Sequence, residues 1–245
     1  MIRNLKYLLL GIVVILLWEY FASTYGSVRL YISSPTLIVN YFIENWFTLL
    51  KALAVTSVEA IIGLLIATLF SFVVMCVGFA KPKFLEFIMP IMITSQVIPI
   101  IVLAPFFIIL FGIGLTSKIL MAAVISFFAI FINFVQGYKA ISPNIHELMT
   151  IYNAPLGFRI ENVYFPLAMP SIMSGLKVSA TLAVIGAIVA EFTGSKVGIG
   201  KNLFVSAIRL EPDLMMASLI LAALLGLVLY GIINYIDKKY GYWYQ

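Results

Sequence analysis

The side chains that could do chemistry are few in this sequence, and they concentrate in one polar stretch, residues 142–170. This stretch, SPNIHELMTIYNAPLGFRIENVYFPLAMP, contains the only histidine of the chain, His146, next to Glu147. One histidine and one distant cysteine, Cys76, do not provide the ligands of a histidine- or cysteine-based metal site. Short helices with an apolar face are instead suited to fill a groove on a soluble partner.

Two short helices are predicted within this stretch. Ser142 can cap the first helix, with Pro143 in its first turn, where a missing N–H costs nothing. Asn153 stands where a left-handed residue would end that helix, and Pro155 suits the start of the second. We call residues 139–166 the elbow. Its helices each have an apolar face, formed by Ile145, Leu148, Met149 and Tyr152 on the first and by Leu156, Ile160, Val163 and Tyr164 on the second.

Outside the elbow, single polar side chains interrupt long apolar runs. Gln96, Asn133 and Gln136 could line a solute pathway, or could equally form hydrogen bonds between helices. Glu191 is an ionisable group at the edge of an apolar run, so it is a candidate gate residue. A carboxylate in contact with interfacial water is an equal alternative for Glu191.

Other polar residues favour structural roles. We expect Lys177 to neutralise a carboxylate or to contact a lipid phosphate, and Glu59 to lie in the headgroup zone. Gly198 and Gly200 indicate a loop turn rather than a phosphate-binding loop. The sequence contains no GxxxxGK[ST] motif and no convincing nucleophile–base pair within its apolar runs, so we predict neither an enzyme nor a cofactor in this chain.

The composition requires a membrane. Hydrophobic residues make up 63% of the 245 residues and charged residues 10%, whereas ordinary domains carry roughly 25% charged residues. The net charge of +5 suits anionic lipid and does not require nucleic acid. The sequence therefore predicts an all-α polytopic membrane protein, one domain over 1–245, with about six spans at 7–22, 52–80, 86–111, 119–138, 167–190 and 214–236.

Two of these regions have further expected features. Residues 35–50 are expected to form a separate amphipathic helix along the membrane surface, opened by Ser34 and Pro35. The third span contains Pro90, Pro99 and Pro105, and repeated proline is tolerated where the freed carbonyls meet protein or water. We therefore expect this span to be packed inside the bundle.

The basic residues predict the orientation, with the elbow and both termini in the cytoplasm. With six spans, six basic residues fall on the opposite side, and Lys177 falls within a span. The eight on the side of the elbow lie close to helix ends and are Arg3, Lys6, Lys81, Lys83, Lys139, Arg159, Lys238 and Lys239.

The elbow resembles the "EAA" loop of ABC importer permeases, which in that family is the coupling helix that docks into a cytoplasmic ATPase. The resemblance rests on Glu147, on Asn153-Ala154 six and seven positions later, and on Phe165-Pro166. Leu148 and Met149 replace the two alanines of the motif, and Asn153 replaces its glycine, although asparagine tolerates the same backbone conformation. The resemblance implies that the ATPase-coupling residues are Glu147, Leu148, Tyr152, Asn153, Ala154, Pro155 and Pro166.

A wider set of motifs is similar to the nitrate/sulfonate/taurine group of these permeases, including relatives for pyrimidine or riboflavin uptake. Glu59 departs from the group, which often has arginine at this position. The matching stretches are Ser34-Pro35-Thr36, Ala104-Pro105, Phe111-Gly112-Ile113-Gly114, Ser117-Lys118, Gly175-Leu176-Lys177, Ala190-Glu191-Phe192 and Gly198-Ile199-Gly200.

The resemblance implies partners. These are a second permease chain, two cytoplasmic ATPases that hold ATP and Mg²⁺, and an external substrate-binding protein, all at the inner (cytoplasmic) membrane. Two alternatives stay open. A secondary transporter would show repeated halves and charges at the membrane midplane, and a non-transporting membrane assembly subunit would show no transport defect on deletion. The sequence does not identify the solute.

Overall fold

A computed structural model describes residues 2–24 and 31–241, and all regular structure in this part of the chain is helical. A π-helical turn, Ile160–Tyr164, joins the helices Leu156–Arg159 and Phe165–Phe192. The predicted all-α class is confirmed. The helices are α1 Ile2–Thr24, α2 Pro35–Ala80, α3 Pro82–Ser95, α4 Ile100–Phe111, α5 Leu115–Lys139, α6 Pro143–Ile151, α7 Leu156–Arg159, α8 Phe165–Phe192, α9 Ile199–Arg209 and α10 Pro212–Tyr240.

Four of the described helices are long and apolar enough to cross a membrane. They are α2, α5, the continuous helix Leu156–Phe192 and α10. Two shorter apolar helices, Leu9–Thr24 and Ile101–Phe111, fall in the first and third predicted spans. The chain is therefore built as a multi-pass membrane protein, whereas the count of six spans stays a prediction.

The expected surface helix at residues 35–50 is not separate from the second span. Both form α2, which is kinked at Asn45, where φ is −114° and ψ is 18°. The predicted helix start is confirmed, because the Ser34 side chain accepts a hydrogen bond from the Leu37 N–H. The sequence from 36 to 62 contains no proline or glycine, so nothing in it ends the helix between the two predicted elements.

The third predicted span is also different in the structure. It is broken between Ser95 and Ile100, because Pro99 lacks an N–H and disfavours a helical conformation at Ile98 before it. Pro99 itself is extended, with ψ at 128°. The expectation that this span is packed inside the bundle is wrong for the single chain. The side chains of Val97 and Ile109 are 78% and 81% exposed, and Ala104 is the one buried residue of α4 in the described set.

The second helix of the elbow is not a separate short helix. α7 runs through the π-helical turn directly into α8, so the second half of the elbow is the beginning of a membrane helix. The Phe165 N–H bonds to the Ile160 carbonyl, five residues back. A wider turn of this kind gives room for the ring of Pro166, which would otherwise clash with a carbonyl of the preceding turn.

Small residues bring α5 and α8 close together. A Cβ added at Gly175 would lie 2.8 Å from the Asn133 Cβ, and one added at Gly186 would lie 2.8 Å from the Ala122 Cα. Such close approach is how membrane helices gain packing energy when both the lipid and the protein are apolar. These two helices therefore form the centre of the bundle, against which α2 and α10 pack.

The bundle has two distinct ends. At one end, which we call the elbow end, the Phe79 ring at the end of α2 contacts Tyr138 and Tyr164, with centroid distances of 5.5 and 5.8 Å. The C-terminal part of α10 is tied to α8 by the Lys177 ammonium, 2.5 Å from the Asp237 carboxylate. The prediction that Lys177 neutralises a carboxylate is confirmed. The opposite end, which we call the far end, holds the starts of α5, α9 and α10.

Candidate functional site

The first helix of the elbow ends in a rigid hydrogen-bonded turn. Asn153 has a φ of +48°, so the predicted left-handed residue is confirmed. The Ala154 N–H bonds to the Met149 carbonyl and the Asn153 N–H to the Thr150 carbonyl. This pair of bonds is the Schellman motif, which satisfies carbonyls that the end of a helix leaves free. The Arg159 Nε donates to the Ala154 carbonyl at 2.6 Å and so holds the following turn against the motif.

The same turn presents apolar side chains to the exterior. Their exposed fractions lie between 45% and 74%, although the turn is polar in sequence. Ile151 and Phe158 belong to this surface but to neither predicted apolar face; their signal in the sequence is only that they are large apolar residues in a polar stretch. We call this set the elbow surface: Leu148, Ile151, Tyr152, Leu156 and Phe158.

Six of the seven candidate coupling residues lie together at the turn between α6 and α7. Glu147, Asn153 and Pro155 are exposed, and Ala154 is half-buried. The structure does not bring Pro166 to them, since it lies in the first turn of α8, about 16 Å along the continuous helix from Pro155 at 1.5 Å per residue. Pro166 therefore belongs to the junction with the membrane helix rather than to the elbow surface.

The left-handed residue gives a prediction about transport. Asn153→Gly should keep wild-type uptake, because glycine adopts a φ of +48° without strain. Asn153→Val should destabilise the turn by roughly 1–2 kcal/mol and lower uptake in cells that lack the native gene. Equal uptake by the two variants at equal membrane levels would show that the turn does not need this conformation.

The candidate pathway residues do not come together. Gln96 lies in the turn between α3 and α4 and lines a cavity of about 260 Å³, together with Ser95, Phe128 and Leu182. Asn133 donates to the Ala129 carbonyl of its own helix at 2.8 Å, and Gln136 is exposed on α5. Of these three amides the structure therefore places Gln96 at a cavity, and the gate candidate Glu191 lines another one.

Glu191 is buried at the far end, where its side chain is 1% exposed. The alternative of a carboxylate in interfacial water is therefore wrong. Its oxygens accept hydrogen bonds from the Thr56 hydroxyl at 2.7 Å and from the Gly200 N–H at 2.5 Å. A carboxylate at the start of α9 also interacts favourably with the positive end of the helix dipole. Glu191 thus joins α2, α8 and α9.

Glu59 lies in the same region and is 0% exposed, so its side chain faces protein, and its expected depth at the headgroups stays a prediction. Its carboxylate lies 3.2 Å from the Lys118 ammonium at the start of α5, and Lys118 also donates to the Ser195 hydroxyl at 2.7 Å. We call Thr56, Glu59, Lys118, Glu191 and Ser195 the far-end polar cluster.

Glycines close this cluster. Gly198 has a φ of +148°, and a Cβ there would lie 2.0 Å from a Glu191 carboxylate oxygen. A Cβ at Gly200 would lie 2.2 Å from the Ile188 carbonyl oxygen. The two glycines lie in the turn that packs against the Glu191 side chain. The backbone can come this close to Glu191 and α8 because neither residue has a side chain.

Comparison with known proteins agrees with a transport protein of this architecture. Residues 75–242, more than half of the chain, match the family described as "Binding-protein-dependent transport system inner membrane component". The chain belongs to this permease family. The predicted membership of the ABC importer permeases is therefore confirmed, and its relatives are transporters rather than enzymes.

Two relatives and one solved structure illustrate the similarity. A probable ABC transporter permease protein of Haemophilus influenzae is 32% identical over 98% of each chain. The formylaminopyrimidine transport permease protein ThiX of Halalkalibacterium halodurans is 30% identical over 77% of this chain and 76% of the relative. The inward-facing MetNI methionine ABC transporter shares the fold, with a TM-score of 0.63 and 20% identity over 78% of this permease and 94% of that chain.

Proposed function

We propose that this permease is the membrane-spanning subunit of an ATP-driven importer. It would receive a small polar solute from an external binding protein and release it into the cytoplasm. Two copies of the chain, each with about six spans, would form the pathway in the cytoplasmic membrane. ATP and Mg²⁺ would bind to two separate ATPase subunits, and the permease itself would hold no cofactor.

The elbow surface is the observation that carries this proposal. Its five large apolar side chains are exposed on a turn that hydrogen bonds make rigid, which is the form of a surface that fills a groove on a partner. It lies at the end of the bundle where Lys81, Lys83 and Lys139 are exposed. Basic residues close to helix ends favour the cytoplasmic side, where an ATPase would be, and both termini would lie there too.

In this mechanism the elbow would transmit movement from the ATPases to the membrane helices. Closure of the two ATPases on ATP would move the elbow surface, and because α7 is continuous with α8, the movement would pass directly into the centre of the bundle. A rigid-body change of this kind can alternate the pathway between outward-open and inward-open states.

The test replaces two residues of the elbow surface with charged ones. Leu148→Asp together with Tyr152→Asp should weaken binding of the partner ATPase by about thirtyfold, the effect of losing one interface hot spot. ATP-dependent uptake into proteoliposomes should fall with it, while membrane insertion is unchanged. The partners for the test would be an ATPase and a binding protein whose genes neighbour that of the permease.

The matched control for this test is Asn144→Asp, which adds charge to the exposed polar side of the same helix. It should bind the ATPase like the wild type. Undiminished ATPase binding and uptake in the double variant would contradict the coupling role of the elbow. A wild-type permease that transports without any ATPase would contradict the proposed function as a whole.

A further inference from the structure

The first helix of the elbow, α6, is held to the bundle by few side chains. None of its nine residues is buried, and only Ile145, His146 and Met149 are half-buried. Whatever force reaches the elbow surface from outside must therefore pass along the chain, into α5 through residues 140–142 or into α7, or across these three side chains. His146 differs from the other two because it combines ring packing with a hydrogen bond.

His146 lies in an aromatic cluster with Phe79, Tyr138 and Tyr164. Its ring centroid is 5.6 Å from that of Tyr138 and 5.0 Å from that of Tyr164. Its Nδ1 lies 3.2 Å from the Tyr164 hydroxyl. Aromatic pairs at these separations stabilise a fold by more than the burial of their apolar area alone would.

The cluster joins three membrane helices at one point. Tyr138 lies near the end of α5, Tyr164 immediately before α8, and Phe79 near the end of α2. Phe79 and Tyr164 are 2% and 5% exposed, and Phe79 contacts the rings of both tyrosines. Since packed interiors deform little, a displacement of His146 would be transmitted to α2, α5 and α8 together.

We propose that His146 is a positioning residue that links α6 to these three membrane helices, so that movement of the elbow is converted into movement of the bundle. This inference rests on the proposed coupling role of the elbow and adds a second connection beside the continuous α7–α8 helix. Loss of His146 lowers the number of solute molecules transported per ATP hydrolysed and leaves ATPase binding intact.

The experiment uses the complete complex of permease, ATPase and binding protein in proteoliposomes. His146→Ala removes the ring and the hydrogen bond, whereas Tyr164→Phe removes only the hydrogen bond and keeps the ring. The matched control is Thr150→Ala on the same helix, because the Thr150 hydroxyl bonds only to a carbonyl of its own helix, that of His146, at 2.9 Å. ATP hydrolysis, uptake and co-purified ATPase are measured for each variant.

We expect His146→Ala to lower uptake per ATP by about fivefold, the lower range of a coupling between sites, with ATPase recovery unchanged. Tyr164→Phe should give a smaller loss of the same ratio, and Thr150→Ala none. If His146→Ala does not fold, Tyr164→Phe decides the outcome.

Two results would overturn the inference. One is a wild-type ratio of uptake to ATP hydrolysis in the variants. The other is a loss of ATPase binding that parallels the loss of uptake, since His146 would then only support the docking surface. Failure of the proposed function itself looks different, because the wild-type permease would then show no ATP-dependent uptake.

Discussion

Gly200→Ala is expected to prevent this permease from folding normally. The added Cβ would lie 2.2 Å from the Ile188 carbonyl oxygen and 2.8 Å from the Glu191 Cβ, and neither is the end of a flexible side chain. Either α9 must move away from α8 or the Glu191 side chain must leave its position. Either change breaks the bond from the Gly200 N–H to the Glu191 carboxyl group and leaves a buried polar group with fewer partners.

The expected destabilisation is about 4 kcal/mol or more, the range that marks a disrupted core. It is measured in detergent as a lower yield of monodisperse protein and a lower thermal unfolding midpoint. Gly114→Ala is the matched control, because it lies in a far-end loop with extended backbone and no atom within 4 Å of an added Cβ. If Gly200→Ala unfolds at the same temperature as Gly114→Ala, Gly200 does not pack against α8 in this way.

Local signals in the sequence were sufficient to predict several features of the structure. Ser34 and Pro35 mark the beginning of α2, and Asn153 before Pro155 marks the left-handed end of α6, because capping and turn chemistry depend on neighbours in the chain. The apolar runs likewise predicted the membrane class. In each case the physical cause lies within a few residues of the position that it determines.

Features that depend on distant contacts could not be predicted. Whether Glu191 meets water or protein depends on how the turn at Gly198 folds back over it. The break at Pro99 is local, but Pro90 and Pro105 lie inside helices, so the sequence did not show which of the three prolines interrupts the span. The ring contacts of His146 could not be predicted either, because nothing local shows that Tyr138 and Tyr164 come within ring contact of it.

Glu59 is a position at which this chain departs from the permease group that it resembles. Lys118 and Glu191 both fall in stretches that match the permease group, but the position of Glu59 often carries arginine there. In the structure the Glu191 carboxylate lies next to Glu59, with Lys118 beside them. The cluster therefore contains two carboxylates and one ammonium in the described region, and Lys118 becomes the residue on which its electrostatic balance depends.

Lys118→Met should accordingly be among the most destabilising single changes in the chain. Glu59 is fully buried, and the Lys118 ammonium, 3.2 Å away, is its oppositely charged partner in the described residues. Methionine fills much of the lysine volume but removes the positive charge. Breaking a buried ion pair from one side costs about 3–5 kcal/mol, because the remaining charge has no compensation.

The double variant Glu59→Gln with Lys118→Met separates this explanation from a simple packing defect. Removing both charges should restore most of the lost stability, since a buried ion pair and a neutral replacement of similar volume are often nearly equal in stability. Thermal unfolding midpoints of the wild type, the two single variants and the double variant form the thermodynamic cycle. Additive losses in the double variant would show that Lys118 stabilises the far end through its bond to Ser195 or its packing, and not through Glu59.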